Sequence, residues 1–551
     1  MTRNIRRVLL SLCFALSLLL VSCGSPEQST TSESPSTTEV QFVDGGTVTI
    51  ANASDIISIN DLLGQSTPIH AFVQDRLFFS LLEEQPDYQN GPATFAPALA
   101  SSYEFSEDRK TLTFNLRDDI SWSDGQPVTA EDVRWTWQAQ TAAEVGWSAG
   151  EAKAHITDVE VVDPTTARFH FDKSYSWQLM DAVEGVILPS HVWSQLPFDQ
   201  WRGNADWFQQ NLVVNGPFTL ESWEPGQRII LTKNESYSDA DKPRVDRVVV
   251  RIVPDGIAQL AMLKTGDIDM MDWARPGQLP ELEKNPDIEL KSYIPRTFIS
   301  LIWNTALPSL DSAKTRRALT MAIDRQSIID ALYHGYATVP ASPFMSNLWA
   351  TNKDLKPLPY DPEQAVALLA EDGWQDSDGD GVLDRNGEPF RLVLLNGAGN
   401  EVRIDAGLMI VEQMRQIGVE LEQQVIEFNT MITRERNHDF DVALMGLSIP
   451  TNLDMSYFFH TDHIDGSFNF GSFSDPEVDR LLDEIQVTPN LLDAKPLFDE
   501  LQVGLQQGQP MTFLYEALRV LPVNKRVQGV HPNVLRNFGD PKEWAIVASS
   551  P

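Results

Sequence analysis

The chain has 551 residues, 42% of them apolar, and a formal charge of −36 at pH 7. Its length suits about three domains with well-filled cores. So acidic a surface disfavours nucleic acid and anionic lipid headgroups as partners, and it admits neutral or cationic ligands.

Arg3, Arg6 and Arg7 precede an apolar stretch, residues 8–21, that is short for a bilayer span. It ends in Leu20-Val21-Ser22-Cys23-Gly24, which resembles the lipobox of bacterial lipoproteins. The resemblance implies cleavage before Cys23, acyl chains of the palmitate type on that residue, and export to the periplasmic or outer face of the membrane. Two or more acyl chains make a stable anchor, and a single chain makes a marginal one. An ordinary secretory signal with an incidental cysteine is the alternative. Cys13 leaves with the signal, so the mature body has no thiol for a disulfide, a thiolate metal site or a cysteine nucleophile. Residues 25–39 are Ser, Thr, Pro and Glu with almost nothing apolar, and read as a flexible tether.

Beyond the tether, α/β patterning persists. Gly46-Thr47-Val48-Thr49-Ile50 and Thr111-Leu112-Thr113-Phe114-Asn115-Leu116 alternate as strands. Thr129 and Asp132 form a capping box ahead of a helix with Val133 and Trp137 on one face. Asp324 caps a helix carrying Ile328, Ile329 and Leu332, with Gly335 as its stop. Asp361-Pro362-Glu363 starts another, which Gly373 ends. A longer helix with Ile410, Met414 and Ile417 on one face stops at Gly418, and a strand follows through Val419, Leu421, Gln423 and Val425. Recurring helix-then-strand units predict α/β domains.

Several motifs then run collinearly. Pro97-Ala98-Leu99-Ala100-Ser101-Ser102-Tyr103 is followed by Thr113-Phe114-Asn115-Leu116-Arg117 and by Trp122-Ser123-Asp124-Gly125-Gln126-Pro127-Val128-Thr129-Ala130-Glu131-Asp132-Val133. Asn215-Gly216-Pro217-Phe218, Lys233-Asn234-Glu235-Ser236-Tyr237, Gly266-Asp267-Ile268-Asp269, and Arg316-Arg317-Ala318-Leu319 with Ala322-Ile323-Asp324-Arg325 complete the set. Together they resemble the family 5 extracellular solute-binding proteins of bacterial ABC importers, the oligopeptide, dipeptide and nickel-binding group. Trp122-Ser123 replaces that family's usual Phe-His. The resemblance implies a periplasmic-binding-protein-like α/β fold (type II, two lobes closing on a ligand) with a domain inserted in the N-terminal lobe. The expected division is signal 1–22, anchor and tether 23–45, lobe I from 46–75, 190–287 and 515–551, inserted domain 76–189, and lobe II 288–514. It further implies a monomer that hands a small peptide to an ABC permease and its ATPase, touches the membrane through the lipid anchor alone, and performs no catalysis. An oligosaccharide or another uncharged solute is the alternative ligand, and a sensory role without a permease is an alternative use.

The family's pocket segment corresponds to residues 440–454, which makes Gly446, Leu447, Ser448 and Asp454 candidate ligand contacts. Leu447 stands where Trp is common, and Asp454 is the carboxylate nearest to the Asp that takes the ligand's amino group in peptide binders. Trp303, Asn304, Asn400, Arg403, Asn469 and Phe470 are further candidates. Arg403 has the fork to meet a ligand carboxylate bidentately, or to form an interlobe salt bridge.

Three other patterns carry chemistry. Gly146-Trp147-Ser148-Ala149-Gly150 spells the G-x-S-x-G of a hydrolase elbow, the basis of a secreted serine hydrolase reading. That motif needs a strand before the serine, and here a helix is expected. Asp376, Asp378, Asp380 and Asp384 space like a calcium loop, with Gly387 at the position of the closing ligand; calcium there would be structural. His460-Thr461-Asp462-His463 offers imidazoles without a thiolate partner. No motif requires a cofactor.

Overall fold

The computed structural model describes residues 41–548 apart from 65–66, 240–241 and 466–467. The signal, Cys23 and most of the tether lie outside the described residues. Phe42–Val43 pairs with Ala545–Val547, so ordered structure begins before the expected end of the tether at 45. The two apolar residues supply what the Ser/Thr/Pro run lacks.

Strand Thr47–Asn52 forms as its alternation predicts, with Val48 and Ile50 fully buried. It lies inside a seven-stranded mixed sheet, parallel to Arg247–Ile252 and Met270–Met271. A six-stranded sheet carries Ala337–Thr338, Met511–Ala517, Thr297–Trp303, Val442–Ser448, Arg391–Gly397 and Glu420–Ile426 in spatial order. Between the first strands of the seven-stranded sheet, the chain builds a four-stranded antiparallel sheet from Ala100–Phe105, Thr111–Leu116, Thr166–Phe171 and Ile156–Asp163.

The chain passes between the two large sheets twice, at residues 294–296 and at Leu518. The expected boundaries at 287/288 and 514/515 do not coincide with these crossings. Strand Ile288–Tyr293 pairs with Arg519–Asn524 in the seven-stranded sheet, and 514/515 cuts through Met511–Ala517. Ile288–Tyr293 mixes Ile, Leu and Tyr with Glu, Lys and Ser, whereas Met511–Ala517 is almost wholly buried, and neither composition marks where one sheet hands over to the other.

Helix signals match closely. The Asp132 carboxylate accepts the Thr129 amide at 2.9 Å ahead of Ala130–Thr141, and Asp361 accepts Gln364 N at 2.9 Å ahead of Pro362–Glu371. Asp324 accepts Ser327 N at 3.0 Å. Its helix, Arg325–Tyr333, ends one residue before the expected stop, because His334 at φ 51° already turns left-handed before Gly335 at φ 86°. Trp122, Trp193, Trp201, Trp303 and Trp544 are fully buried framework, and Trp193 and Trp201 each meet Phe208 edge-on at about 5 Å.

The two halves are in contact. Ser176 Oγ donates toward the carbonyls of Ile485 and Gln486, each at 2.8 Å, and Trp349 N donates to Tyr88 O at 2.8 Å. Among the described residues no helix is long and apolar enough to cross a membrane.

Candidate ligand cavity

A cavity of about 480 Å³ opens where the seven-stranded lobe, the four-stranded insertion and the crossing at Arg296 meet. Its size falls in the range of about 300–1,000 Å³ typical of small-molecule sites. Helix Pro68–Leu77 supplies His70, Gln74, Asp75 and Arg76; the hairpin beginning Leu82–Glu84 supplies Glu83 and Glu84. Glu184 follows helix Gln178–Val183, and Arg536 and Asp540 arrive from the carboxy-terminal segment.

The charged groups divide into two sets. In one, Arg536 pairs with Glu83 at 2.6 Å, Asp540 lies 4.0 Å from Arg76 and 3.7 Å from Lys542, and His70 lies 3.3 Å from Asp61. Burial would raise the Asp540 carboxyl, but Arg76, Lys542 and Arg536 hold it below its ordinary value. In the other set, Asp75, Glu84 and Glu184 make no ion pair among the described residues. Glu84 accepts the Tyr88 hydroxyl at 2.6 Å. Burial raises all three carboxyls above their usual range. Glu184 is nonetheless accessible, because its open face is cavity wall.

Glu184 is held from behind. Lys153 is buried, and its ammonium donates to the carbonyls of Asp181, Ala182 (3.3 Å) and Glu184 (2.9 Å). That cation caps the end of Gln178–Val183 and fixes the backbone from which Glu184 projects. On the opposite side, Arg296 Nη1 donates to Ile449 O at 2.9 Å, and Ile449 N returns a bond to Arg296 O.

The residues singled out in the sequence lie elsewhere, with one exception. Trp303 Nε1 donates to Thr512 Oγ1 at 3.1 Å inside the core. Asn304 Nδ2 ties the carbonyls of His438 and Phe440 at 3.2 and 2.8 Å. Asn400 caps Glu401–Gln416 by accepting Arg403 N at 3.0 Å, and Arg403 approaches Glu435, Tyr333 and Tyr515 electrostatically. Gly446, Leu447 and Ser448 sit on Val442–Ser448 opposite Ile299, Phe298 and Thr297, with the Ser448 and Thr297 hydroxyls 2.9 Å apart. Asp454 is buried and accepts Ser456 N at 2.9 Å; burial raises its carboxyl. Asn469 Nδ2 donates to His460 O and Phe473 O, and Phe470 is buried beside it. None of these ten lines the cavity. The stretch that carries Ser448 and Asp454 does reach its edge, through Ile449 on Arg296 and Thr451 near Glu84.

Ser148 is the exception, as part of the cavity wall. It lies in a turn after helix Ala130–Thr141 and before the 3-10 turn Gly150–Lys153, without the strand and helix that an elbow requires. Asp376, Asp378 and Asp380 bring carboxylate oxygens within 4.8 Å of one another. Those carboxylates already accept backbone amides, Gly379 and Gly381 on Asp376, Asp380 on Asp378, and Val382 on Asp380. Asp384 lies outside the cluster and accepts Ser377 N at 2.9 Å.

Sequence reasoning missed Asp75, Glu84, Glu184 and Arg296. They come from four separated stretches, and each alone is an ordinary charged residue.

Comparison with known proteins places this architecture. The chain is 25% identical over 550 residues to the oligopeptide-binding protein AppA of Bacillus subtilis, covering 98% of this chain and 99% of that one. It is 25% identical to the nickel-binding periplasmic protein of Escherichia coli, over 80% of this chain and 83% of that protein. The solved structure of Bacillus subtilis AppA in complex with a nonapeptide superposes with a TM-score of 0.75 at 23% identity, over 92% of this chain and all of that one (100%). NikA from Brucella suis in complex with Fe(III)-EDTA gives 0.78 at 20% identity, over 90% and 99%. The family profile of bacterial extracellular solute-binding proteins, family 5, matches residues 94–469, and the chain belongs to that family.

Proposed function

We propose that this protein is the membrane-anchored receptor of an ABC importer, and that it takes a short peptide into the cavity beside Arg296. The carrying observation is the position of that cavity, walled by one lobe, its insertion and a crossing segment between the two large sheets. A ligand there touches the part of the chain that must rearrange when the lobes separate, so binding favours the closed arrangement. Peptide is favoured over saccharide because the wall carries charged side chains of both signs among its apolar ones, and the fully buried tryptophans belong to the core, Trp147 being the tryptophan that reaches the wall. Relatives named for oligopeptide, dipeptide and di/tripeptide binding support the same choice. Cys23 supplies the anchor, with residues 25–39 as the leash. The protein works as a monomer that a permease and its ATPase read in the closed form. No bond is made or broken, and Ser148 serves as wall.

Native mass spectrometry of the full-length protein in mild detergent tests this. A co-purified adduct that fragments as a peptide is the expected result. Hexose-spaced fragments would move the ligand to the saccharide class. No adduct, together with no thermal shift from a pool of short peptides, would overturn the peptide reading.

A further inference from the structure

The unpaired half of the cavity has a consistent chemistry. Asp75, Glu84 and Glu184 can only accept hydrogen bonds when ionised. They feel one another, Glu184 acting on Glu84 and Asp75 on Glu184, and the attraction of Arg76 and Arg536 for Asp75, of Lys153 for Glu184 and of Arg296 for Glu84 does not cancel the cost of burial. Gln74, in the same wall and only 1% exposed, has a side-chain oxygen without a hydrogen-bond partner, its amide being spent on Ile59 O at 3.0 Å. Against these acceptors, among the described residues of the wall, Arg296 stands as the cation outside the ion pairs, and one of its nitrogens is engaged by Ile449 O. The remaining cations, Arg76, Arg536 and Lys542, are within 4.0 Å of Glu83 or Asp540.

From this arrangement we infer that the ligand carries net positive charge, its ammonium or guanidinium groups seated among Asp75, Glu84, Glu184 and the Gln74 oxygen. An ammonium offers three donors and no acceptor, which complements three carboxylates of which Glu84 already receives side-chain donors, from Tyr88 and Thr451. A ligand carboxylate, where there is one, has Arg296 to meet it. One carboxylate of a zwitterion leaves excess acceptors, so a second cationic group completes the site. Carboxylates crowded in a partly desolvated cavity are costly, and a bound cation offsets part of that cost. The position of Glu184 is built in advance, since Lys153 fixes its backbone from the far side of the wall. The inference rests on the solute-binding reading of this cavity and narrows its ligand class.

The test is isothermal titration of the full-length protein with three tripeptides of equal length, Ala-Lys-Ala, Ala-Ala-Ala and Ala-Glu-Ala, and with spermidine as a cation that is not a peptide. The expected order is lysine peptide tightest and glutamate peptide weakest, with about tenfold between neighbours, equivalent to about 1.4 kcal/mol per step. Glu184→Gln and Asp75→Asn should each shrink that separation while leaving a folded protein by circular dichroism, because the cations that act on them, Arg76 and Arg536 on Asp75 and Lys153 on Glu184, keep their own nearer partners. Equal affinities, the reverse order, or a separation unchanged in both variants would overturn the charge inference and leave peptide binding standing. Spermidine binding with no tripeptide bound would uphold the charge inference and overturn the peptide reading. Silence from all four probes overturns both.

Discussion

Two acidic clusters in this molecule use the same side chain to opposite ends. In the turn around Asp376, Asp378 and Asp380, the carboxylates are exposed and accept the amides of their own loop. In the cavity, Asp75 and Glu184 are crowded, mutually repelling and without such amides, and burial lifts them out of the usual carboxylate range. The first arrangement satisfies itself. The second waits for a donor from outside. Density of acidic residues along the sequence is therefore a poor guide to ligand binding; what counts is how many hydrogen bonds the surroundings leave unmade.

Variants can break or sharpen this contrast. The largest effect is expected from Lys153→Met, which strips the cation from three backbone carbonyls next to Glu184. Unfolding in urea should show a loss of about 3–5 kcal/mol. A loss below about 1 kcal/mol would mean the wall is not held this way.

Glu435 comes next. It is fully buried in the six-stranded lobe, neither of its carboxylate oxygens has a hydrogen-bond partner, and burial pushes it up to about 8 against the pull of Arg403. Its folded-state pKa lies above the unfolded value, so the folded state holds the proton and stability falls as pH rises from the ordinary carboxylate range through about 8. Glu435→Gln should therefore stabilise the protein at pH 9 by an amount on the order of a few kcal/mol, read as a raised melting temperature, and change little at pH 5. A difference independent of pH would rule out this origin.

Glu184→Gln in the ligand-free protein should stabilise by about 1 kcal/mol or less, because its open face is screened by solvent. The sign is the informative part: a carboxyl raised by burial destabilises increasingly above its unfolded pKa, so the gain should grow with pH. A loss of stability would mean that attraction to Lys153 and Arg296 outweighs the cost of burial. The smallest effect is expected in the turn, where Asp378→Asn should leave the melting temperature unmoved in chelator and in millimolar calcium alike. A calcium-dependent rise that the variant abolishes would make this turn a metal site after all.

Much of the fold was legible because local signals and family motifs agreed. Asp132, Asp324 and Asp361 make their helix-start bonds as read, and the alternating strands form where they alternate. The crossings were displaced by several residues because a strand's composition reports its burial and not which sheet it joins. The cavity was the least legible part. Trp303, Asn304 and Asn469 attract attention as polar or aromatic residues, yet their polar atoms are consumed by Thr512, His438, Phe440 and Phe473. Asp75, Glu84 and Glu184 become a group only when the helix, the hairpin and the insertion are brought together.

The two chain crossings at 294–296 and 518 have a mechanical meaning. A body tied to another by one strand can swivel in any direction, whereas two ties define an axle. Two such ties oppose twisting and sliding of the halves more than they oppose a swing about the line through those two points. Arg296 sits on that axle and also faces the cavity. A force applied there has almost no lever arm, so a ligand holding Arg296 steadies the pivot, and grip on the far walls supplies the torque that shuts the door.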